Sequence, residues 1–431
     1  MKLSELIEKI ENDHYEETFI SLYGDNYEFQ KDRYLTMLNN SLKYFAKDDE
    51  VHLLSSPGRC EIGGNHTDHQ LGRVLAASIN LDVIGIIKRN NDMTINYYSD
   101  GFNVKPVDLR DLSIIYEEKN TTEAIIRGIN SKLKENNHII GGFDAYAESN
   151  VSTGSGLSSS AAFEIFIGAA NNILYNKNEI KPVELAQIGQ YAENTYFMKA
   201  SGLMDQVACA YGNCVYINFA DEEYPEIEVI NINLDDYSYD LIVTNTNSSH
   251  DDLSDEYSSI PTEMKGVALQ MNEQVLSPLS LEDLIDNVDK VRKNCGDRAF
   301  LRAYHFMNET ERVFDEAEAL KANDFEYFLD LVNASGKSSW MYLQNVLIPS
   351  DNIHQELGVA LALSDAILGD KGAYRVHGGG FAGTILAFVP QDASEEYIET
   401  MEKAFGKDCC LKLKIRNKGY VDLTKGEEEH D

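Results

Sequence analysis

The sequence predicts an α+β protein with two domains. Its 431 residues are enough for two domains, each with a sizeable core. Segments with strand-like patterns and segments with helical spacing follow each other without the regular strand–helix alternation of a parallel α/β sheet. We take a strand predicted at 214–219 as the border region, and expect one domain over 1–222 and a second over 223–431.

The elements are predicted in order from local patterns. Leucine and isoleucine recur at helical spacing in LSELIEKI and LTMLNNSLKYF, which predicts helices within 1–48. Further helices are predicted at 121–133, 159–174 and 183–198, and across most of 255–368. Strands are predicted at 51–55, 74–87, 93–98, 143–147, 214–219, 227–232, 241–245, 373–376, 384–389 and 411–415.

Composition and charge exclude several classes of partner. The formal net charge of −35 argues against nucleic acid or an anionic membrane surface. The first residues, MKLSELIEKIENDH, are charged and lack the apolar run of a signal peptide, and the apolar stretch 74–87 is too short to span a bilayer. The six cysteines show neither CxxC nor zinc spacing. We therefore expect free thiols, a cytoplasmic location and small-molecule partners.

The segment 150–162, NVSTGSGLSSSAA, is the strongest single signal and is called the phosphate loop below. Two glycines and several hydroxyl residues lie between a predicted strand and a predicted helix, an arrangement that can bind phosphate through backbone N–H groups. The loop lacks the lysine of a Walker A motif and the flanking glycines of a hydrolase elbow. Taken alone, it could also be an ordinary Gly/Ser loop that caps a helix.

Further segments add a family resemblance. Residues 57–69 read PGRCEIGGNHTDH (the first segment), 375–384 read RVHGGGFAGT (the third segment), and 202–206 read GLMDQ. With the phosphate loop, they resemble the motifs G-R-x-N-L-I-G-E-H-T-D-Y, G-x-G-L-S-S-S-A, G-I-M-D-Q and G-G-G-F-G-G of the galactokinase branch of the GHMP kinases. The resemblance implies a ribosomal-S5-like N-terminal domain, a ferredoxin-like C-terminal domain and an active site between them. It also implies use of ATP and Mg²⁺ to phosphorylate the anomeric hydroxyl of galactose.

The resemblance also assigns roles to residues that otherwise could be surface or capping groups. Asp205 is implied as the base for the sugar hydroxyl, with Arg59 stabilising charge beside it. Whether Asp205 acts as a full base or mainly positions the hydroxyl stays open. Sugar contacts are implied for Asn65, His66, Asp68, Gly202 and Tyr257, nucleotide contacts for Gly154, Gly156, Ser158, Ser159 and Ser160, and Mg²⁺ ligation for Ser160, with Ser159 as the alternative, and Glu193. Gly378, Gly379 and Gly380 are expected to complete the cleft.

The chain departs from the family pattern at four positions. Glu61 stands where asparagine is usual, Asn65 where a sugar-contacting glutamate is usual, His377 where a small hydroxyl residue is common, and Ala382 where glycine is found. Asn65 is neutral and can donate as well as accept, so it is expected to weaken galactose binding unless Glu61 or water supplies the acceptor. Two alternatives follow: a kinase for another sugar (N-acetylated, uronic or arabinose), and a non-catalytic sensor, which the intact SSSAA disfavours.

Overall fold

The computed structural model of the chain describes residues 1–101, 103–152, 156–199, 201–221, 223–248, 253–351 and 353–425. These residues form two β-sheets surrounded by helices, which confirms the predicted α+β class. The strands are β1 His52–Gly63, β2 Arg73–Arg89, β3 Thr94–Tyr98, β4 Val107–Asp108, β5 Phe143–Ser149, β6 Cys214–Asn218, β7 Glu226–Ile230, β8 Tyr239–Asn245, β9 Ala373–His377, β10 Thr384–Pro390, β11 Cys410–Leu413 and β12 Val421–Asp422.

The helices lie on both sides of these sheets and fill most of the chain from Ser254 to Leu368. They are α1 Leu3–Glu11, α2 Glu16–Tyr23, α3 Tyr27–Ser41, α4 Thr122–Glu135, α5 Ser159–Tyr175, α6 Pro182–Tyr191, α7 Met204–Tyr211, α8 Ser254–Gln270, α9 Leu281–Asp286, α10 Val288–Cys295, α11 Asp297–Lys321, α12 Phe325–Ser338, α13 Glu356–Leu368 and α14 Ser394–Phe405. Within the described ranges, none of these helices is both long and apolar enough to cross a membrane.

The larger sheet has eight strands and is organised around β2. Its main order is β12-β1-β2-β5-β3-β4, and β6 pairs with the start of β2 and with β7. All pairs are antiparallel except β3 with β5. Because β2 pairs with β6 at its start and with β5 at its end, one long strand holds both parts of the sheet together.

Strand β1 runs well beyond the predicted 51–55 and carries most of the first segment. Pro57 has no N–H group, and the pairing register with β2 shifts between Pro57 and Arg59 and again between Glu61 and Gly63. These irregularities let the strand continue past a residue that cannot donate to the ladder. Arg59 and Glu61 consequently lie within a rigid strand that continues beyond the predicted end at residue 55.

The smaller sheet has four antiparallel strands in the order β11-β8-β10-β9. It contains the strand that ends at His377, immediately before the triple glycine of the third segment. Strands β7 and β12 follow residue 222 in the chain but pair with strands of the larger sheet. The larger sheet thus draws strands from both sides of the predicted border, and the border at 222 stays a prediction.

The chain between α6 and α7 differs from the prediction of one helix over 183–198. Helix α6 ends at Tyr191, and the chain continues as a π-helical turn over Ala192–Phe197. Such turns add a residue to the helical repeat and frequently occur at functional sites. Here the turn places the Glu193 side chain inside the protein, 2% exposed, towards the start of α5.

Candidate active site

A pocket of about 530 Å³ opens between the first segment and the triple glycine of the third segment. Its volume lies within the range of small-molecule sites. The polar part of its wall comes from Arg59, Glu61, Asn65, His66, Asp68, His69, Gln190, Ser201 and Tyr257. The apolar part comes from Leu71, Val74, Leu203, Met204, Phe219 and Pro261, and glycines 64, 202, 378 and 379 complete it.

Arg59 and Asp205 form a two-pronged ion pair at one side of this pocket. Arg59 Nε donates to Asp205 Oδ1 at 2.7 Å, and Nη2 donates to Oδ2 at 2.8 Å. The remaining guanidinium nitrogen, Nη1, donates to the carbonyl of Gly156 in the phosphate loop. Planar pairs of this kind fix both orientation and charge. The pair therefore joins β1, the first turn of α7 and the phosphate loop at one point.

The surroundings of Asp205 keep its carboxylate ionised. Burial alone would raise the pKa of Asp205, but the charge of Arg59 and hydrogen bonds from Arg59 and Ser158 outweigh it and lower the pKa. Burial opposes the charge of Arg59 too, yet its attraction to Asp205 raises the pKa of the guanidinium. Both groups are thus charged at neutral pH, and Asp205 can accept a hydrogen bond from a substrate hydroxyl.

The described part of the phosphate loop leads directly into helix α5. Gly156 has φ 72° and Ser158 has φ 58°, and Ser158 donates its hydroxyl hydrogen bond to Asp205 rather than to the helix. Among the described residues no side chain caps the start of α5, so the N–H groups of its first turn, at Ser159 and Ser160, are left available to a ligand. Gly154, predicted to contact the nucleotide, lies outside the described residues.

Ser160 and Glu193 meet beside the start of α5. Ser160 Oγ donates to Glu193 Oε1 at 3.3 Å, and Lys199 Nζ donates to the same carboxylate oxygen at 2.8 Å. Gln206 Nε2 donates to the other oxygen of Glu193 at 3.2 Å and also to the buried Glu164 at 2.9 Å. Ser160 and Glu193 are both oxygen donors, the ligand type that Mg²⁺ prefers. Across the described ranges no group of three metal-binding side chains occurs, so phosphate oxygens and water would have to complete such a site.

Asp68 and Gly202 lie against each other in the pocket wall. Asp68 Oδ1 accepts the backbone N–H of His69 at 2.8 Å. Burial, together with the negative charges of Glu61 and Asp205, raises the pKa of Asp68 to about 6. At neutral pH the Asp68 carboxyl is therefore mostly ionised and accepts hydrogen bonds, but a larger fraction of it is protonated than in an ordinary aspartate.

His66 and Tyr257 connect the pocket to the glycines of the third segment. His66 Nε2 donates to the carbonyl of Gly379 at 2.9 Å, and Tyr257 Oη donates to the carbonyl of Gly380 at 3.0 Å. A β-carbon at Gly379 would stand 2.5 Å from Tyr257 Cε1, so the close approach requires glycine there. The predicted sugar-contacting residues His66, Asp68, Gly202 and Tyr257 are thus brought together around one pocket.

Asn65 also lines the pocket, but its side chain is fully engaged within the protein. Its Nδ2 donates to Glu61 Oε1 at 2.9 Å and to the carbonyl of Gly378 at 2.6 Å. Its Oδ1 accepts from Asn345 Nδ2 at 2.7 Å and from Ser339 Oγ at 3.4 Å. This use of its hydrogen-bonding capacity distinguishes Asn65 from the other predicted sugar contacts.

Sequence reasoning missed the residues that hold Glu61. Arg375 Nη2 donates to Glu61 Oε1 at 2.8 Å, and its Nη1 donates to the carbonyl of Ile62 at 2.5 Å. The backbone N–H of Glu61 donates to Nε2 of His377 at 3.1 Å. Burial lowers the pKa of His377 to about 3, so the ring is neutral and can accept. The available signal was that Glu61 and His377 both depart from the family pattern, since coupled departures often reflect a contact.

Comparisons with known proteins agree on the class of this site. Residues 120–213 match the family described as GHMP kinases N terminal domain, and residues 42–89 match the galactokinase galactose-binding signature. A crystal structure of a mevalonate kinase has the same fold, with a TM-score of 0.59 at 17% identity over 85% of this chain and 99% of the other. The protein is therefore a kinase of the GHMP class, which uses ATP.

The similarity is stronger within one branch of that class. The galactokinase of Lactobacillus helveticus is 31% identical over 391 residues, covering 89% of this chain and 97% of the relative, and that of Glaesserella parasuis is 30% identical over 85% and 91%. The crystal structure of Lactococcus lactis galactokinase complexed with galactose matches with a TM-score of 0.76 at 25% identity, over 89% and 98% of the two chains. The chain belongs to the galactokinase family.

Proposed function

We propose that this protein transfers the terminal phosphoryl group of ATP to the anomeric hydroxyl of galactose, giving galactose 1-phosphate. The observation that carries the proposal is the ion pair between Arg59 and Asp205, with distances of 2.7 and 2.8 Å, at the junction of the pocket and the phosphate loop. A sugar in the pocket and a nucleotide on the loop would meet at this pair. Family membership supports the same reaction.

In this proposal Asp205 accepts the hydrogen bond of the anomeric hydroxyl and orients its oxygen for attack. Because its pKa is lowered, Asp205 is a weak base and takes the proton only as the bond to phosphorus forms. Arg59 keeps the carboxylate ionised and offers positive charge to the attacking oxygen and the transferring group. Orientation and charge stabilisation thus come before proton transfer.

The nucleotide would bind at the start of α5. The backbone at Gly156, Ser159 and Ser160, together with Gly154, would receive the phosphates at the positive end of the helix dipole. Ser160 and Glu193 would hold Mg²⁺, which when bound neutralises phosphate charge. Ser158 differs in role, because its hydroxyl is committed to Asp205.

The sugar would bind in the pocket, with His66, Asp68, Gly202 and Tyr257 around the ring. Residues 1–222 would form the domain that carries the first segment and the phosphate loop. Residues 223–431 would form the domain that supplies Tyr257 and the triple glycine. The contacts of the 378–380 turn with His66 and Tyr257 support a cleft closed from both sides.

A second candidate is a kinase for a related sugar with an apolar substituent, such as an N-acetylated hexosamine. The apolar part of the pocket wall favours this candidate, since a plain hexose has mainly hydroxyl groups to offer. This wall is formed by Leu71, Val74, Leu203, Met204, Phe219 and Pro261.

The test is phosphorylation of a panel of galactose, glucose, N-acetylgalactosamine, arabinose and galacturonate by the wild type and by Asp205→Asn. We expect galactose to have the highest kcat/KM. Asp205→Asn should lower turnover by about 10²-fold while nucleotide binding persists. A matched control is Asp297→Asn, which alters an exposed aspartate in the first turn of α11.

Each outcome has a distinct meaning. If another sugar has a much higher kcat/KM than galactose, that sugar is the substrate, and the proposed kinase chemistry still holds. Near-normal turnover of a folded Asp205→Asn protein would remove Asp205 from the reaction. A folded protein that binds ATP and sugar but phosphorylates none of the panel would instead support the sensor alternative.

A further inference from the structure

We propose that Glu61, rather than Asn65, supplies the carboxylate that selects the sugar in this protein. The inference rests on the proposed function as a sugar kinase and refines the way that its pocket recognises the substrate. In the family pattern, asparagine stands at position 61 and glutamate at position 65. In this chain the two residue types are exchanged, and their side chains are hydrogen bonded to each other at 2.9 Å.

The orientation of the Asn65 amide follows from its neighbours. The carboxylate of Glu61 and the carbonyl of Gly378 only accept hydrogen bonds, so the amide nitrogen of Asn65 must face them. Both of its N–H groups are then used, and its oxygen accepts from Asn345 and Ser339. Asn65 therefore acts within the wall of the pocket, where it ties β1 to the third segment.

The carboxylate of Glu61 is engaged on one side only. Its Oε1 accepts from Arg375 at 2.8 Å and from Asn65 at 2.9 Å. Its Oε2 has no hydrogen bond to any residue in the described ranges, while the side chain lines the pocket and is 7% exposed. A nine-tenths buried carboxylate with one unused oxygen is an acceptor for a ligand hydroxyl.

The position of Glu61 suits contact with a sugar held at Arg59. Residues 59 to 61 pair in regular register with β2, so their alternate side chains Arg59 and Glu61 lie on the same face of β1, and both line the pocket. Arg375 and the neutral ring of His377 hold Glu61 from behind. The Glu61 carboxylate is therefore fixed on the same face of β1 as Arg59, two residues further along the strand, beside the reacting end of the sugar.

This arrangement defines the class of substrate. Glu61 and Asp68 line the pocket, and the carboxylate of Asp205 is bound to Arg59 in its wall. Carboxylates accept hydrogen bonds from neutral polyols and repel a second carboxylate. Arg59 and Arg375 balance two of these charges, and among the described residues Asp68 has no basic partner of this kind, so we expect galacturonate to bind more weakly than galactose.

The first test is Glu61→Gln, in which the amide oxygen still accepts from Arg375 and Asn65. The substitution replaces only the pocket-facing oxygen by an NH₂ group and removes the charge. We expect the Kd of galactose, measured by calorimetry without nucleotide, to rise about tenfold, with a smaller change in kcat at saturating sugar. The matched control is Glu316→Gln, a buried glutamate that does not line the pocket and should leave the Kd unchanged.

A panel of 2-, 3-, 4- and 6-deoxygalactose separates a direct contact from a general disturbance. If Glu61 binds one hydroxyl, the deoxy sugar that lacks this hydroxyl should bind the wild type more weakly than galactose does. The same deoxy sugar should bind Glu61→Gln about as tightly as galactose binds Glu61→Gln. The proposal would be overturned if Glu61→Gln bound galactose and every deoxy sugar more weakly than the wild type by the same factor. It would also be overturned if Glu61→Gln bound all of them as tightly as the wild type. If the panel of sugars identifies a substrate other than galactose, the same comparison with its deoxy forms tests Glu61 independently of the proposed function.

The exchange itself provides the second test. Glu61→Asn removes the partner of the buried Arg375, and Asn65→Glu places a carboxylate against Glu61 and the Gly378 carbonyl. Each single change should raise the Kd of the sugar about tenfold or more, whereas the double variant should return to within about threefold of the wild type. If the Kd of the double variant rises by the product of the two single increases, the two positions act independently and the proposal fails.

Discussion

Gly202 and Asp68 stand so close that the Asp68 carboxylate takes the space of a side chain at residue 202. A β-carbon added to Gly202 would lie 2.1 Å from Asp68 Oδ2. This is far below van der Waals contact, so any side chain at residue 202 would have to displace the carboxylate. Gly202 therefore matters through the position that it gives to Asp68.

Gly202→Ala should weaken sugar binding, because the added methyl group displaces the Asp68 carboxylate. We expect KM for the sugar to rise about tenfold, the scale of one lost charged hydrogen bond, with a smaller effect on kcat. The control is Gly266→Ala in α8, where a β-carbon meets nothing closer than the Cys295 sulfur at 3.9 Å. Unchanged KM in a folded Gly202→Ala protein would contradict the placement of Asp68 in the sugar site.

The acid limb of kcat/KM should report the ionisation of Asp68. Its pKa is raised to about 6 by burial and nearby negative charge, so the group gains a proton and loses acceptor capacity as the pH falls through about 6. The pKa of Asp205 is lowered below that of an ordinary aspartate, so Asp205 does not account for a transition there. We expect kcat/KM to fall about tenfold per pH unit below about 6. A flat profile between about pH 5 and 7 would contradict this assignment.

Substitutions at Glu193 and Lys199 should change the magnesium requirement in opposite directions. Glu193→Ala removes a proposed ligand and should raise the Mg²⁺ concentration for half activity. Lys199→Met removes an ammonium group that sits 2.8 Å from the same carboxylate and competes with a metal, so it should lower that concentration. Sugar binding without nucleotide, measured by calorimetry, serves as the control and should not change in either variant. A Mg²⁺ dependence identical to wild type in Glu193→Ala would remove Glu193 from the metal site.

Asp82 is the centre of a buried ionic cluster whose members do not line the pocket. Arg33 Nη1 donates to its Oδ1 at 2.6 Å, and Arg416 Nη1 donates to its Oδ2 at 3.1 Å. Hydroxyls of Tyr23 and Ser55 donate to the same Oδ2. The cluster links α2 and α3 with β1, β2 and the chain just before β12.

Asp82→Asn should lower the free energy of unfolding by about 3–5 kcal/mol, because it leaves two arginines without their buried counter-charge. The matched control is Asp100→Asn, whose partner Lys43 and own side chain are both about half exposed, and its cost should stay below about 1 kcal/mol. Urea denaturation measures both. Equal stabilities of the two variants would show that the cluster does not hold the helices to the sheet.

The parts of the fold with strong local patterns could be predicted from the sequence. The α+β class is confirmed, and β5, β6, β8 and β10 lie within a few residues of their predicted ranges. The two-residue strands β4 and β12 carry no periodic signal and exist only through their partners. The continuation of β1 past Pro57 depends on register shifts against β2, which a single strand cannot reveal.

The residues of the site could be predicted from motifs, but their contacts could not. Motif matches brought Arg59, Asp205, Ser160 and Glu193 to attention, and the structure joins them in pairs. The motif could not show that all the hydrogen-bonding groups of the Asn65 side chain are used within the protein, because several of its partners come from distant parts of the chain. Buried polar networks are decided by three-dimensional packing, and the sequence records only the residues that take part.

The pairing of β12 with β1 has a consequence for the order in which the protein can form during synthesis. Leu54 and Ser55, a few residues before Arg59, find their outer partners in Asp422 and Val421. On the ribosome, the edge of the strand that carries Arg59 stays open until almost the whole described chain has been translated. An open strand edge invites pairing with other chains, so the nascent protein is most vulnerable to misassembly through most of its elongation. Completion of this strand edge therefore has to wait for β12, which follows β1 by most of the described chain.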